Sequence, residues 1–395
     1  MDAFFRTHNY LVEHVKAPVR RMLMDEIDWS DRMIGIKGTR GVGKTTFLLQ
    51  YAKEHFEPGD RRCLYINMNN FYFQGRGIAD FAGEFYKKGG RVLLIDQVFK
   101  QPNWANELRK CYDSCRDLKI VFTGSSVMRL KDPKNTLFDV VNSYNLRGFS
   151  FREFLNLQAG TSFKPVTLDD ILKNHMDIAG NVLQHVSPAE FFDAYLHHGF
   201  YPFYQEQRNY SENLLKTMNM ITEVDILLIK QIDLKYLTKI KNLFYLLAIG
   251  GARTPNVSSL AQEIHTSRAT VLNYIKYLAD ARLLNIIYPV GHEFPQKPAK
   301  VMMNNTNLIY AIYPIHVDVQ ELMETFFVNA LWKDHKVNQR CRDYYYFIDR
   351  SKRFRVIDAR TVAGMKMLPE TYYVTYNSEQ GNKSNIPLWL FGFLY

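Results

Sequence analysis

Five short runs of adjacent apolar residues punctuate the first 150 positions: "RMIGIKG", "RCLYINMN", "RVLLIDQ", "KIVFTGSS" and "VVNSYNLRG". Their length and β-branched content predict strands buried on both faces. Between them, "GKTTFLLQYAKEHF" and "WANELRKCYDSCRD" repeat apolar residues at helical spacing. Strands alternating with helices predict a parallel sheet covered on both sides, an α/β domain over residues 1–155.

From about Phe151 the strand signal fades. "FREFLNLQAG", "SPAEFFDAYLHHG" and "SENLLKTMNMITEVDILLIKQ" carry helical periodicity and predict a helical lid or connector over 156–235. Residues 236–305 read as helix, helix, turn, helix, strand, strand. The final part, 306–395, returns to β-type runs after one helix, "VQELMETFFVNALWKDH". The closing "IPLWLFGFLY" has too few charges for a solvated tail and predicts a core strand, with a partner-binding strand as the alternative.

Composition narrows the setting. With 395 residues and 47% hydrophobic content, the chain is long enough for two or three cores. A net charge of +10 favours a polyanionic partner. Four cysteines without paired spacing favour a reducing compartment, and Cys111 and Cys115 read as two buried small residues on a helix rather than a metal site. The N-terminus lacks a signal-type apolar segment and the longest apolar runs fall far short of a membrane span, so the expectation is a cytoplasmic protein with no membrane partner.

The strongest chemical signal is Gly38, Thr39, Arg40, Gly41, Val42, Gly43, Lys44 and Thr45, which matches G-x-x-x-x-G-K-[ST] between a strand and an amphipathic helix. Glycines let successive N–H groups and the helix N-terminus face phosphates. Lys44 is expected at the β- and γ-phosphates, the Thr45 hydroxyl in the magnesium shell, and Thr46 among the nucleotide-binding residues of the first helical turn. "VLLID" supplies the partner: a buried strand ending in Asp96, placed to hold magnesium through water. ATP and Mg2+ are the expected cofactors, and the absence of an NKxD tetrad favours ATP over GTP.

Gln97 follows, where many P-loop ATPases carry a glutamate that polarises the attacking water. An amide can hydrogen-bond water but cannot take its proton, so binding survives while turnover falls, unless another residue positions the water. Thr123, chosen from Thr123, Ser125 and Ser126 at the end of "KIVFTGSS", is the expected polar sensor of the γ-phosphate.

Together, "RMIGIKGTRGVGKTTFLLQY", "VLLIDQVFKQPNW", "KIVFTGSS", "YNLRGFSFREFL" and "HHGFYPFY" resemble the prokaryotic AAA-type ATPases of the AAA_14 and DUF4143 family over almost the whole chain. The resemblance implies an additional-strand P-loop core, a helical segment, a winged-helix domain and a C-terminal α+β domain similar to PD-(D/E)XK nucleases. Two departures stand out. Gln97 and Phe99 replace the family's glutamate and histidine. "NTLFDVVN" stands where members usually carry the paired arginines that are a natural source of an arginine finger. Arg129, Arg147 and Arg152 lie nearby without an assigned role.

Within 236–305, the second helix of the helix–turn–helix is expected to show Arg268, Asn273, Tyr274 and Lys276 outward, with Arg268 and Asn273 near base edges of double-stranded DNA. From 226 to 300 ten basic residues face four acidic ones. The competing reading is a packing module between domains or subunits. In the C-terminal part, Glu324 and Asp358 are candidate acids, but Lys366 precedes Glu370 in the wrong order for E-x-K, so the domain reads as a nuclease-like relic. The sequence therefore predicts an ATP–Mg2+ switch or slow ATPase that couples nucleotide state to a basic winged helix touching DNA or a protein partner, with a homo-oligomer as a further expectation because such cores commonly bind nucleotide at subunit edges. An ATP-gated nuclease and a non-catalytic DNA-binding regulator are the alternatives.

Overall fold

The computed structural model describes residues 1–206, 209–315 and 317–395, which form two compact units, Met1–Gly148 and Phe149–Tyr395.

In the first unit, strands β1 (Met33–Gly38), β2 (Cys63–Asn67), β3 (Val92–Asp96), β4 (Lys119–Ser125) and β5 (Asn142–Asn145) form one parallel sheet in the order β2-β3-β4-β1-β5. All five expected strands are present. The apolar runs of β1 to β4 are buried on both faces, as a parallel sheet requires, whereas the edge strand β5 is exposed or half-buried along its length. The order inserts β4 between β1 and β3, the additional-strand arrangement. Because all strands run the same way, the loop after β1 and the last residue of β3 emerge at one edge of the sheet, where crevices bind ligands in such folds.

Helix α1 (Asp2–His14) packs on β2 and on α2 (Lys44–His55). Its buried His8 accepts a hydrogen bond at Nδ1 from the Tyr65 backbone N–H at 3.0 Å, which satisfies an outward amide of the edge strand. Two further helices, α3 (Ile78–Lys87) and α4 (Trp104–Ser114), pack on each other. Cys63, Cys111 and Cys115 are buried and Cys341 is exposed.

The second unit begins with α5 (Phe151–Ala159), whose N-cap Ser150 and Glu153 form a capping box. It continues through α6 (Leu168–Leu183) and α7 (Ala189–Ala194) into a single π-helical turn, Tyr195–Gly199. The "HHGFYPFY" motif closes this turn against "NNTN", residues 304–307. Thr306 Oγ1 donates to the Leu196 carbonyl at 2.6 Å, and Asn307 Nδ2 donates to the Tyr195 and Leu196 carbonyls at 3.1 and 2.8 Å. Asn307 Oδ1 accepts from the Phe200 amide and the Tyr210 hydroxyl. A π-turn leaves carbonyls without regular partners, and this buried amide network supplies them. Within the motif itself, the Phe200 amide donates to Asn307 and the Tyr201 hydroxyl accepts from Asn305.

After α8 (Tyr210–Met220) come α9 (Leu237–Gly250), α10 (Val257–Glu263), α11 (Arg268–Asp280) and the antiparallel pair β6 (Leu284–Ile287) and β7 (Lys300–Met303). Side chains of Asn256 and Ser267 cap α10 and α11. This matches the expected order of helix, helix, turn, helix, strand, strand.

Helix α12 (Thr306–Ile312) and the almost wholly buried α13 (Val319–Leu331) lead to a mixed sheet of β8 (Val337–Gln339), β9 (Tyr346–Ile348), β10 (Lys352–Asp358), β11 (Thr371–Tyr376) and β12 (Asn385–Pro387), in the order β12-β11-β10-β9-β8. One hydrophobic core joins Phe151, Phe154 and Leu196 to Phe327, Phe354 and Phe391, so the helices after residue 150 share their core with the C-terminal sheet. Burying each such aromatic contributes about 1.5–3 kcal/mol.

The C-terminal run is core, but only Asn385–Pro387 is strand. Leu388–Phe393 turns into a 3₁₀ helix. Gly392 lets that turn lie on α5, since a Cβ there would meet the Phe151 Cβ at 2.4 Å. Among the described residues, no helix is long and apolar enough to cross a membrane.

Candidate nucleotide site

The loop from Gly38 to Gly43 leaves β1 and enters α2 at Lys44. Gly41 and Gly43 adopt φ of 82° and 92°, left-handed values that side chains resist, and these turn the loop back on itself. Lys44 Nζ donates to the Gly38 and Thr39 carbonyls at 2.8 and 2.7 Å, so the ammonium lies across its own loop. The buried Arg21 guanidinium clamps the loop from outside the motif: it donates to the Val42 carbonyl at 3.1 Å and to the Arg147 and Gly148 carbonyls at 2.6 and 3.0 Å. Arg21 carries no sequence signal, because its partners are backbone carbonyls more than twenty residues away.

Asp96 ends β3 fully buried, and four neutral donors converge on its carboxylate. Thr45 Oγ1 donates to Oδ2 at 2.7 Å, the Tyr65 hydroxyl at 2.9 Å and Asn67 Nδ2 at 3.2 Å, while Thr123 Oγ1 donates to Oδ1. Burial and the adjacent Asp96 carboxylate push the Tyr65 phenol well above its usual range, against smaller lowering by the Asn67 and Thr45 contacts, so it stays a donor. The structure thus brings together Lys44, Thr45, Asp96 and Thr123, and adds Tyr65 and Asn67.

The donor set fits magnesium. Thr45 is exposed, and its single hydroxyl proton is committed to Asp96, which leaves its lone pairs for a cation. A hydroxyl and a carboxylate are hard oxygen donors of the kind Mg2+ takes alongside phosphates and water. Thr46 stands at the third residue of α2, half-buried.

Gln97 has left-handed φ of 57° and ψ of 45°, held by its N–H donating to Thr123 Oγ1 at 2.9 Å. A non-glycine residue in this region is an uncommon conformation concentrated at functional sites. Thr123 therefore bridges Asp96 and Gln97. Phe99, at the position of the family's histidine, is buried with the Arg40 guanidinium 6.0 Å from its ring centre. Of the three arginines near the expected finger, Arg152 is spent inside the second unit on the Tyr395 and Phe163 carbonyls, both at 3.1 Å. Arg129 is exposed and Arg147 half-buried.

On α11 the expected outward face holds only in part. Arg268 is exposed, and Asn273 and Lys276 are half-buried, with Lys276 paired to Asp280 at 2.6 Å. Tyr274 is buried, which corrects the expectation that it faces outward. It stands three and four residues from Val271 and Leu278, on the apolar stripe of the helix. Ion pairs to Asp280, Asp233, Glu223 and Glu324 engage five of the ten local cations, Lys230, Lys235, Lys241, Lys276 and Lys300, so the basic excess is less open than the sequence count indicates.

Glu324 and Asp358 line one cleft of about 1010 Å³ beside β10. Each is engaged. Glu324 accepts from Lys300 Nζ at 2.7 Å, the Tyr346 hydroxyl at 2.5 Å and Gln320 Nε2 at 2.8 Å. The Arg360 guanidinium beside Asp358 holds its carboxyl down to about 2, and Asn377 Nδ2 donates to it at 3.0 Å. Among the described residues, no three His, Cys, Asp or Glu side chains gather to hold a metal.

Residues 30–155 match the AAA_14 family model, described as an AAA domain. Residues 189–318 match DUF8612, a domain of unknown function, in place of the DUF4143 expected from the resemblance. Among curated proteins, the uncharacterized protein MJ1637 of Methanocaldococcus jannaschii is 28% identical over 275 residues, covering 66% of this chain and 57% of that one. The uncharacterized protein MJ1544 of the same organism is 23% identical over 267 residues, covering 64% and 55%. The chain thus spans a little over half the length of these relatives. Two solved structures are distantly similar. A RuvB variant of Thermotoga maritima has 14% identity and a TM-score of 0.31 over 72% of this chain and 89% of that one. PCH-2 of C. elegans has 16% identity and a TM-score of 0.24 over 46% of each. Both scores are too low to bear on function. The family match, the inserted strand and the Thr45–Asp96 geometry together make residues 30–155 an AAA-type P-loop ATPase domain.

Proposed function

We propose that the chain is an ATP- and magnesium-dependent switch with slow hydrolysis, whose nucleotide state governs contact with DNA. The observation that carries this reading is the joining of Thr45 to Asp96 beside a glutamine: metal-binding groups assembled, and an amide where a proton acceptor usually stands. Lys44 and the loop amides would hold the phosphates, with Thr45 and Asp96 on the magnesium side, which supplies charge neutralisation at the transferring phosphate. Thr123, bonded to both Asp96 and the Gln97 amide, is suited to report the γ-phosphate to the strand ends.

The helix–turn–helix and hairpin of 257–303 serve in this reading as a winged helix. The exposed Arg268 at the start of α11 is its candidate base-edge contact, and Asn273 and Lys276 flank it. The C-terminal sheet is a PD-(D/E)XK-like scaffold used for docking, and self-association through the nucleotide edge is a further part of the proposal.

The test measures affinity for double-stranded DNA with ATP–Mg2+, with ADP and without nucleotide, across a salt series. The switch requires affinities that differ between nucleotide states, fall steeply with salt and weaken in Arg268→Ala. Equal affinity in all three states would favour a regulator whose phosphate loop is structural. An ATP-gated nuclease is favoured only by the meeting of Glu324 and Asp358 in one cleft, and Mg2+-dependent plasmid cutting lost in Asp358→Ala would raise it.

A further inference from the structure

Asp96 has an unusual set of partners. A fully buried carboxylate needs strong compensation, and here the contacts come from neutral hydroxyl and amide groups. Two of them, Tyr65 and Asn67, lie on the neighbouring strand β2 and belong to neither the phosphate loop nor the γ-phosphate sensor. The pairing of β2 with β3 sets Asn67 beside Asp96 and Tyr65 beside Leu94. Side chains two apart share a face, so both donors fall on the face that carries the carboxylate. Asn67 Nδ2 also donates to the Tyr65 hydroxyl at 3.3 Å, so the pair acts as one bracket on Oδ2. The bracket is itself fixed: Tyr65 is buried and its amide is bonded to His8.

We infer that Tyr65 and Asn67 are positioning residues for the metal side of the nucleotide site, holding Asp96 Oδ2 turned toward Thr45. The inference rests on the nucleotide reading above. With the hydroxyl of Tyr65 removed, Oδ2 keeps Thr45 and Asn67 but loses one donor and is freer to rotate. The metal-dependent part of ATP affinity suffers, and the metal-free part, which rests on Lys44 and the loop amides, does not.

The experiment titrates ATP into the full chain by calorimetry with and without Mg2+, for wild type, Tyr65→Phe and Asn67→Ala, alongside melting temperatures. The expected result is that Tyr65→Phe keeps metal-free ATP affinity within about twofold while the gain given by Mg2+ shrinks about tenfold, as for partners that orient metal-holding carboxylates. Asn67→Ala, at the half-exposed strand end, should show a smaller loss in the same direction, and it decides the matter should Tyr65→Phe not fold. A full Mg2+ gain in the variants overturns the inference while leaving the nucleotide site intact. A parallel fall of melting temperature and of both affinities also overturns it, since that marks a structural role. Wild type that takes up no ATP fails the nucleotide reading itself, and the inference falls with it.

Discussion

Thr45 Oγ1 donates to Asp96 Oδ2 at 2.7 Å, which ties the first turn of the helix after the phosphate loop to the end of a strand two places away in the sheet. The contact predicts the behaviour of Asp96→Asn. The amide retains the shape but presents an NH₂ group to a cluster of donors, at a cost of about 1–3 kcal/mol in stability. The Mg2+-dependent gain in ATP affinity should fall by at least about tenfold. Thermal melts and calorimetry measure the two effects separately.

Gln97→Glu should raise ATP turnover by about 10²-fold or more, the usual scale of general-base help, while ATP affinity changes little. Phosphate release under saturating ATP measures it. Equal, appreciable rates for both forms would mean that another residue positions the water.

His8 predicts an acid-sensitive first unit. Burial depresses its imidazole from 6.5 to about 4, and its Nδ1 must stay unprotonated to accept the Tyr65 amide. A depressed folded pKa means stability that is complete above the unfolded value and is lost as pH falls from 6.5 toward 4. The loss should reach roughly 2–3 kcal/mol. Urea midpoints between pH 7 and pH 4 should fall less steeply in His8→Gln than in wild type.

Glu321 predicts the opposite sign in the second unit. Burial, reinforced by Asp318, raises its carboxyl to about 7. The stability it contributes is complete below the ordinary 4.5 and lost as pH rises through 7. Glu321→Gln should therefore gain on the order of 1–2 kcal/mol over wild type at pH 8 and nothing at pH 4, with partial exposure limiting the effect. Chemical denaturation at the two pH values checks it.

Much of the first unit was legible in the sequence because its signals are local. Apolar runs of strand length, a glycine-rich loop between strand and helix, and an aspartate at a strand end each declare themselves within ten residues. Arg21, Tyr65 and Asn67 were not legible, because their roles depend on which strands lie side by side and on backbone carbonyls brought near by the fold. One signal was available: Tyr65 and Asn67 stand two apart at the C-terminal end of a buried strand, where polar residues have ligand-side work. Tyr274 was misread because its neighbours at 273 and 276 are polar, whereas its spacing to Val271 and Leu278 places it inward. In the C-terminal run, the apolar string declared burial but not conformation, and the turn after Pro387 depends on Gly392 meeting Phe151.

The central claim is that ATP with magnesium binds between the loop of residues 38–45 and Asp96. Calorimetry of the full chain with ATP in the presence of Mg2+ tests it most directly, with Lys44→Ala as control. The account predicts saturable one-to-one uptake by wild type that weakens when Mg2+ is chelated and is lost in Lys44→Ala. No uptake by wild type, or uptake indifferent to Lys44, would contradict it.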